Sequence, residues 1–529
     1  MWGWVPALLW VVFGSILIGA VHDFGALVVS LRNNGQTVGD VAGRLLNKRV
    51  RLLFLFVLFM ALTVVLAIFG LVIAAVFKQY PAAIFPCLVQ IPIAVAIGMT
   101  LHRKGVGLLF PSVLALAVMY LTVIYGDTGI LGEWNAAMAS WSIWTWVVVL
   151  LGYSYVASVL PVWTLLQPRD YVNSLQLISA LALIVLGLFA ATAGSGTGDV
   201  ELAMVAPAYN PNPEGAPMIF PFLFITIACG AVSGFHCLVS SGTSSKQLKH
   251  EPDARFVGYG SMLTEGFLAT LVILACGAGL GLGVTAASGE VLLGEAAWAE
   301  RYASWGAAKS LGAKVGAFVD GAANFLVALG LSGAVAVALM GVLVASFAGT
   351  TLDTACRLQR YVVQELGRTL GSGEEGGAFG WLKNKHGATI FAVSLAGIMA
   401  ATPPGGQGWS IANAGKGGLI LWPLFGATNQ LLAGLSFLVI TFYLWRRGKP
   451  VWFLVLPMIF MLVMPMWAML HQLFISPGWL VGENPDYLLG LIGLATIALE
   501  VWMIFEAWQL FPKAKGVLED GALDASGIS

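Results

Sequence analysis

The chain has 529 residues, of which 59% are hydrophobic and only 10% are charged. An ordinary soluble domain carries about 25% charged residues, whereas the mean hydropathy here is +0.87. Most of the chain must therefore face lipid or other helices. The 26 basic residues balance the 26 acidic ones, which argues against a nucleic-acid partner. Because the apolar runs are long and continuous, the sequence predicts an all-α integral membrane protein.

About thirteen apolar segments are long enough, or nearly so, to cross a bilayer as helices. In chain order they are 4–31, 51–77, 84–101, 106–125, 141–161, 175–193, 219–240, 258–285, 321–348, 388–402, 417–444, 451–472 and 487–509. Alternate loops hold 21 of the 26 lysines and arginines, including Arg169 before the sixth segment. By the positive-inside rule these loops and the C-terminus are cytoplasmic, in a bacterial inner membrane.

The segmentation divides the chain into a core of residues 1–445, C-terminal transmembrane helices at 446–509 and a cytoplasmic tail at 510–529. Thirteen spans with a cytoplasmic C-terminus put Met1 outside the cell, so we expect an odd number of further helices ahead of Met1. Residues 286–320, between the eighth and ninth segments, are predicted to lie on the outer membrane surface. The sequence has no CxxC, P-loop or HExxH motif, and it predicts neither an enzyme nor a cofactor or metal ion.

Ionisable residues at lipid depth identify candidate sites, because a charge at mid-bilayer costs at least about 2.5–3.5 kcal/mol. His22 and Asp23 are neighbours in the first segment, within GAVHDFGAL, and Glu265 lies in the eighth. A histidine beside a carboxylate is suited to proton coupling, since it titrates close to neutral pH. The alternative is a structural pair whose hydrogen bond holds a helix in place.

Hydroxyl side chains surround Gly242 at the end of the seventh segment, in GFHCLVSSGTSSKQL at 234–248. Such a cluster favours local side-chain-to-backbone bonds over a regular helix, and broken helices in transporters bind ions and substrates. We predict a helix break at 240–244, with an ordinary transition from helix to loop as the alternative. The candidate substrate-binding residues are His236, Ser240, Ser241, Thr243 and Ser244.

A third polar stretch, SFAGTTLDTACRLQRY at 346–361, combines a flexible Gly349 with hydroxyls and a carboxylate. It is suited to a cation site or a gate, although Asp353 would equally serve as the N-cap of a following helix at 354–370. The candidate gate or cation residues are Ser346, Thr350, Thr351 and Asp353.

A fourth polar stretch, LFGATNQLL at 424–432, lies near the middle of the eleventh segment. Asn429 is the candidate substrate contact there, and interhelical hydrogen bonding is the alternative. In the predicted topology His22, Asp23, His236, Ser346 and Glu265 lie toward the cytoplasmic half, and Asn429 lies nearer the midplane. These compatible depths predict one shared cavity.

The same stretches resemble the carbon starvation protein A (CstA) family of bacterial membrane transporters. The resemblance extends in order along the chain, at 9–43, 234–266, 346–366 and 421–434. It implies a fold similar to the amino-acid/polyamine/organocation (APC) superfamily, with an inverted repeat and broken helices. It also implies uptake of peptides, or proton-linked uptake of pyruvate, during carbon starvation. Family members usually carry further helices upstream, including the best candidate for the first broken helix.

The function expected from residues and resemblance together is secondary active transport by alternating access. The substrate is a small carboxylate (pyruvate) or short peptides, and Asp23 or Glu265 would be the counter-charge for a peptide amine. Protons are the expected coupling ions, and sodium remains open because hydroxyl and carbonyl groups also bind it. A membrane-embedded metabolite sensor, a channel and a truncated family member that does not transport are the alternatives. The sequence does not indicate an oligomeric state.

Overall fold

The computed structural model is almost entirely helical, as the composition predicts. It describes residues 1–104, 107–195, 200–286, 288–306, 308, 310–370, 379–403, 408–475, 478–481 and 485–519. Within these ranges the only strands form a two-stranded antiparallel hairpin, β1 (Val284–Thr285) and β2 (Val291–Leu292). The all-α prediction is confirmed.

Nineteen α-helices are present in the described part of the chain. The first ten are α1 (Trp4–Gly14), α2 (Ala20–Leu31), α3 (Val38–Leu45), α4 (Lys48–Gln79), α5 (Ile84–Lys104), α6 (Leu109–Tyr125), α7 (Gly129–Ala139), α8 (Ile143–Val159), α9 (Leu166–Thr192) and α10 (Ile219–Thr226). The others are α11 (Gly234–Gly242), α12 (Ser261–Gly277), α13 (Gly294–Tyr302), α14 (Leu311–Ala328), α15 (Gly333–Leu370), α16 (Lys385–Ala401), α17 (Gly417–Arg446), α18 (Trp452–Phe474) and α19 (Tyr487–Ala514).

The number of possible spans is lower than the predicted thirteen. Among the described residues, ten helices are long and apolar enough to cross a membrane, or eleven if α6 and α7, bent by 82°, count as one. The fifth and tenth predicted segments correspond to α8 and α16, which are apolar but only 17 residues long. The seventh segment is not one helix, because α10 ends at Thr226 and α11 begins at Gly234.

The predicted ninth segment, 321–348, is wrong as a single helix. The chain turns at residues 329–332, where Gly330 has a φ of +93°, a conformation that glycine adopts without strain. The preceding helix α14 lies across the ends of three others. Residues just beyond α4, α12 and α9 contact it, through the hydrogen bonds Tyr80–Asp320, Gly279–Asn324 and Ser195–Ala328. The predicted ninth segment is therefore divided between α14 and α15, and both helices are long and apolar enough to cross a membrane.

The helix α15 is continuous over 38 residues, or about 57 Å at 1.5 Å per residue. It is longer than the hydrocarbon core of a bilayer, about 30 Å. Near its C-terminal half, Arg357 and Arg360 donate to backbone oxygens of Ala157, Ser158 and Leu160 at the end of α8. These bonds satisfy carbonyls that a helix end leaves free. They also hold α8 against α15.

Loops that the positive-inside rule assigns to one side meet at one end of the bundle, which we call the basic end. There Arg32 bonds to Glu251 at 2.8 Å and Arg51 bonds to Glu365 at 2.6 Å. The Arg446 Nε atom donates to the Leu45 carbonyl at 2.8 Å. The predicted alternation of loops therefore agrees with the tertiary structure.

Two irregular features lie in the helices that hold the candidate site. A π-helical turn, Ser15–Gly19, joins α1 to α2, and another, Arg255–Gly260, precedes α12. Between α10 and α11 the chain leaves the helical path at 227–233. Broken helices of the predicted kind are thus present, although this break lies away from 240–244.

Candidate functional site

The carboxylate of Asp23 lies between two imidazole rings. One of its oxygens is 2.7 Å from Nδ1 of His22, and the other is 2.8 Å from Nδ1 of His236. The second ring nitrogen of His236, Nε2, is 3.1 Å from a carboxylate oxygen of Glu265. The structure thus joins His22, Asp23, His236 and Glu265 into one chain of contacts, which we call the proton chain. Three helices contribute to it: α2, α11 and α12.

Close backbone packing allows these three helices to meet. A side chain at Gly19 would lie 2.4 Å from the carbonyl oxygen of Ala231, in the break between α10 and α11. A side chain at Gly258 would lie 2.7 Å from the Cα of Phe24. Both glycines belong to the π-helical turns. Because such turns change the helical register, they also set which faces of α2 and α12 carry Asp23 and Glu265.

Hydrogen bonds at all three contacts of the proton chain would need three protons. Each contact joins a ring nitrogen to a carboxylate oxygen, and one of the two atoms must carry a hydrogen to donate. Two neutral histidines supply two such hydrogens, which bond to Asp23. A hydrogen bond between His236 and Glu265, whose atoms are 3.1 Å apart, would need a third, carried either by an imidazolium or by a carboxylic acid. A proton chain with all three hydrogen bonds would therefore hold one proton more than two neutral histidines and two carboxylates do.

Burial changes along the proton chain. His22 is fully buried and Asp23 is 6% exposed, whereas the Glu265 side chain is 30% exposed. A buried charge is stable only with hydrogen-bonded partners. Glu265 is thus the most exposed member of the proton chain, and His22 is its closed end.

Residues of α17 hold both ends of the broken helix. The Asn429 side-chain oxygen accepts from the Phe235 backbone N–H at 2.9 Å and from the Ser233 hydroxyl at 3.1 Å. The neighbouring Gln430 donates to the Phe224 carbonyl at 2.8 Å. A helix break leaves backbone groups unpaired, and side chains must satisfy them inside a membrane. In this conformation Asn429 therefore bonds to the break, as the interhelical alternative predicts.

At 240–244 the structure shows the alternative, a transition from helix to loop, because α11 ends at Gly242 and a 3-10 turn follows at Ser244–Lys246. The Ser241 hydroxyl donates to the Cys237 carbonyl at 2.7 Å and accepts from the Val38 N–H at 3.2 Å. This residue connects α11 to the start of α3. Ser240 lies in α11, and Thr243 and Ser244 follow its end, near the basic end of the bundle. Of the predicted substrate-binding set, only His236 reaches the proton chain.

A small cavity lies beside the break, between α4, α11 and α17. Its volume is about 10 Å³, close to the space of a single water molecule. Phe235, Thr428 and Asn429 contribute to its lining, together with apolar side chains of α4. The Asn429 side chain is thus adjacent to this space as well as to the break. The structure represents a closed state of this region.

A second buried cluster contains Asp353, which was predicted to line a cation site or gate. Both its carboxylate oxygens accept from the guanidinium of Arg169, one of them at 2.9 Å. The Tyr153 hydroxyl also donates to it, at 2.9 Å. Asp353 is fully buried and Arg169 is 3% exposed. Because Arg169 neutralises Asp353, the structure contradicts the cation-site interpretation, and we call this cluster the arginine pair.

Three other predicted gate residues lie within the continuous helix α15, so Gly349 is not a flexible point. The hydroxyls of Thr350 and Thr351 donate to carbonyls one turn earlier, Ser346 and Phe347, at 3.0 Å. Thr350 also accepts from Asn173 of α9 at 2.7 Å. The Ser346 hydroxyl is 3.7 Å from the Cys87 sulfur. These side chains join α15 to α5 and α9, and the predicted N-cap role of Asp353 is wrong.

The sequence analysis missed Arg169 as a partner because it treated that residue as part of a cytoplasmic loop. In the structure α9 begins at Leu166, nine residues before the predicted segment. Pro168 near a helix start, followed by the acidic Asp170, is a recognised signal of a helix N-terminus. The break at 227–233 was missed because its residues are apolar or small. Gly230 and Ser233 are its only sequence signals.

The comparisons with known proteins identify the family. The model of the carbon starvation protein CstA family matches residues 1–468. The chain belongs to this family. A relative from Campylobacter jejuni, named peptide transporter CstA, is 30% identical over 89% of this chain and 69% of its own length. The pyruvate/proton symporter BtsT of Escherichia coli is 30% identical over 89% of this chain and 71% of its own length.

Similar solved structures also belong to membrane transporters. Mhp1, a nucleobase-cation-symport-1 family transporter, covers 97% of this chain at 14% identity, with a TM-score of 0.33. A manganese transporter of Eremococcus coleocola covers 93% at 12% identity, with a TM-score of 0.32. At such low scores the APC-like inverted repeat stays a prediction.

Proposed function

We propose that this chain is a proton-coupled secondary transporter for a small carboxylate nutrient, pyruvate or a short peptide. The observation that carries the proposal is the 3.1 Å contact between His236 and Glu265, the position that a third proton would occupy. A titratable proton next to a broken helix is the combination that coupled transport requires. The names of the relatives, a peptide transporter and a pyruvate/proton symporter, support the two substrate classes.

In this mechanism the proton chain changes charge as transport proceeds. With the third proton bound, two carboxylates face two histidines of which one is charged, and the net charge is −1. Loss of that proton leaves −2 at a buried position and breaks the contact between His236 and Glu265. Because His236 lies on α11 and Glu265 lies on α12, this loss separates the two helices. Protonation thus favours the closed arrangement, and deprotonation favours an open one.

The substrate carboxylate is expected at the N-terminal end of α11, in the cavity beside Phe235 and Asn429. A helix N-terminus carries partial positive charge and free N–H groups that favour an anion. Asn429 accepts from the first of these N–H groups in the closed state. A substrate carboxylate would replace that bond when the cavity opens. For a peptide, the excess negative charge of the proton chain would attract the amine.

The proposed orientation of the protein in the membrane depends on the basic end of the bundle. We place this end in the cytoplasm of a bacterial inner membrane, because cytoplasmic loops carry the excess of lysine and arginine. The C-terminal tail after α19 then lies inside the cell. The proton chain belongs to the half of the membrane nearer the cytoplasm.

The decisive experiment is uptake of labelled pyruvate, and of a labelled dipeptide in parallel, into liposomes that contain this 529-residue chain. An inward proton gradient is imposed in one series and an inward sodium gradient in another. We expect accumulation with the proton gradient that a protonophore abolishes. Accumulation that needs only sodium would contradict proton coupling. If the folded protein binds the substrate saturably but does not accumulate it, the result would favour a sensor, or a chain that needs further helices for transport.

A further inference from the structure

A buried carboxyl group lies outside every site described above, on the helix α19. Glu500 is fully buried, and neither of its side-chain oxygens has a hydrogen-bond partner among the described residues. It lies beyond residues 1–468, which the family model matches. Its neighbours on the same helix face are apolar or small, including Ile497 and Met503. Such a group is rare at this depth and requires an explanation.

The helices packed against α19 present no charge to Glu500. They are α4, α17 and α18. Their charged or titratable residues lie in the end turns of these helices: Lys48, Arg49, Arg51 and Lys78 on α4, Tyr443 and Arg446 on α17, and His471 on α18. Arg51 and Arg446 are bonded elsewhere, to Glu365 and to backbone oxygens. Among the described residues of these three helices, the Glu500 carboxyl group therefore has no bonded cation or carboxylate.

A second glutamate of α19 provides a contrast within the same helix. Glu506 accepts from the Asn47 side chain at 2.8 Å and from the Trp502 indole at 3.2 Å. Arg49 lies 3.7 Å from it. Glu506 thus has the partners of an ionised carboxylate at the basic end. Glu500 lies six residues earlier, about 9 Å deeper along the helix axis, and has none of them.

An unpaired carboxylate ion removed from water is far less stable than the neutral acid at the same position. We propose that Glu500 is a proton-binding site, distinct from the proton chain, that holds its proton at neutral pH in the closed state. The ligand is a proton, since the described residues contain no cluster of His, Cys, Asp or Glu side chains that could hold a metal ion. This proposal does not depend on the substrate or on the coupling ion proposed above.

The test is infrared spectroscopy of the purified full chain in lipid at neutral pH. We compare the protein with its Glu500→Gln variant. The expected difference is the loss of a C=O stretching band of a protonated carboxylic acid. The matched control is Glu506→Gln, for which we expect loss of a carboxylate band instead. Loss of a carboxylate band in Glu500→Gln would overturn the proposal.

Thermal unfolding gives an independent measurement. A neutral amide replaces a neutral acid of the same shape, so Glu500→Gln is expected to fold and to unfold near the wild-type temperature at low pH. As the pH rises, Glu500 ionises in the unfolded chain at a lower pH than in the folded chain. This ionisation stabilises the unfolded state. The wild-type unfolding temperature must therefore fall relative to that of Glu500→Gln as the pH rises. A constant difference, or a variant that fails to fold while Glu506→Gln folds, would contradict the proposal.

Discussion

The proton chain and the arginine pair are both buried charge clusters, but their chemistry differs. In the arginine pair one permanent cation, Arg169, neutralises one carboxylate, Asp353, through two contacts. In the proton chain two carboxylates contact two histidines, whose charge depends on pH. Arginine does not lose its proton in proteins, whereas histidine titrates near neutral pH. The proposed function therefore assigns the change of charge to the proton chain and not to the arginine pair.

The difference indicates a division of tasks between the two regions. The arginine pair connects α9 and α15, which are both unbroken, and Arg169 also bonds to the neighbouring Asp170 at 3.0 Å. The proton chain connects a broken helix to two helices that begin with π-helical turns. Fixed charge with matched partners suits a rigid scaffold. Titratable charge in irregular helices suits a moving part.

The largest effect is expected from removing the cation of the arginine pair. Arg169→Ala leaves Asp353 buried without its partner, and breaking a buried ion pair costs about 3–5 kcal/mol of unfolding free energy. We expect a large loss of folded protein, measured by thermal unfolding in detergent. Replacing both Arg169 and Asp353 by alanine should recover part of the stability. Equal stability of Arg169→Ala and the wild type would refute the scaffold role.

Asp23→Asn is the corresponding change in the proton chain. The amide keeps the shape and can bond to one ring, but it removes the charge that binds the third proton. Accumulation of substrate under a proton gradient should fall to background, while the protein stays folded. Uptake into liposomes measures the accumulation, and size-exclusion chromatography shows whether the protein is folded. The control, Asp353→Asn, should instead lose folded protein because the buried Arg169 loses its fully buried carboxylate partner. Full uptake by Asp23→Asn would exclude it from coupling.

His22→Ala tests the closed end of the proton chain. We expect the pH dependence of uptake to disappear while the protein remains in the membrane, because one of the two contacts of Asp23 is lost. The exposed His250 gives a matched control, since His250→Ala should leave the pH profile unchanged. An unaltered profile in His22→Ala would limit coupling to His236 and Glu265.

The smallest effect is expected from Tyr153→Phe in the arginine pair. The change removes one hydrogen bond to Asp353 but leaves the bond to Arg169. The net contribution of such a bond is about 0.5–1.5 kcal/mol, so a small decrease in unfolding temperature is expected. Uptake and its pH profile should not change. A changed pH profile would mean that the arginine pair also titrates.

The sequence by itself determined the membrane class, the alternation of loops and the residues of the proton chain. Hydropathy and the distribution of lysine and arginine are local properties, and the bilayer imposes them on every span. His22, Asp23, His236 and Glu265 were recognisable because ionisable residues are rare at lipid depth. Their similar depth predicted that they meet, and the structure joins them.

Only the tertiary structure decided the partners and the breaks. Asp353 was recognisable as polar, but the choice between a cation and Arg169 depends on which faces of α9 and α15 meet. The break at 227–233 and the turn at 329–332 occur within apolar sequence, where hydropathy does not distinguish a helix from an interruption. Their backbone groups are tolerated because residues such as Asn429, distant in sequence, bond to them. Such bonds exist only after the helices have packed.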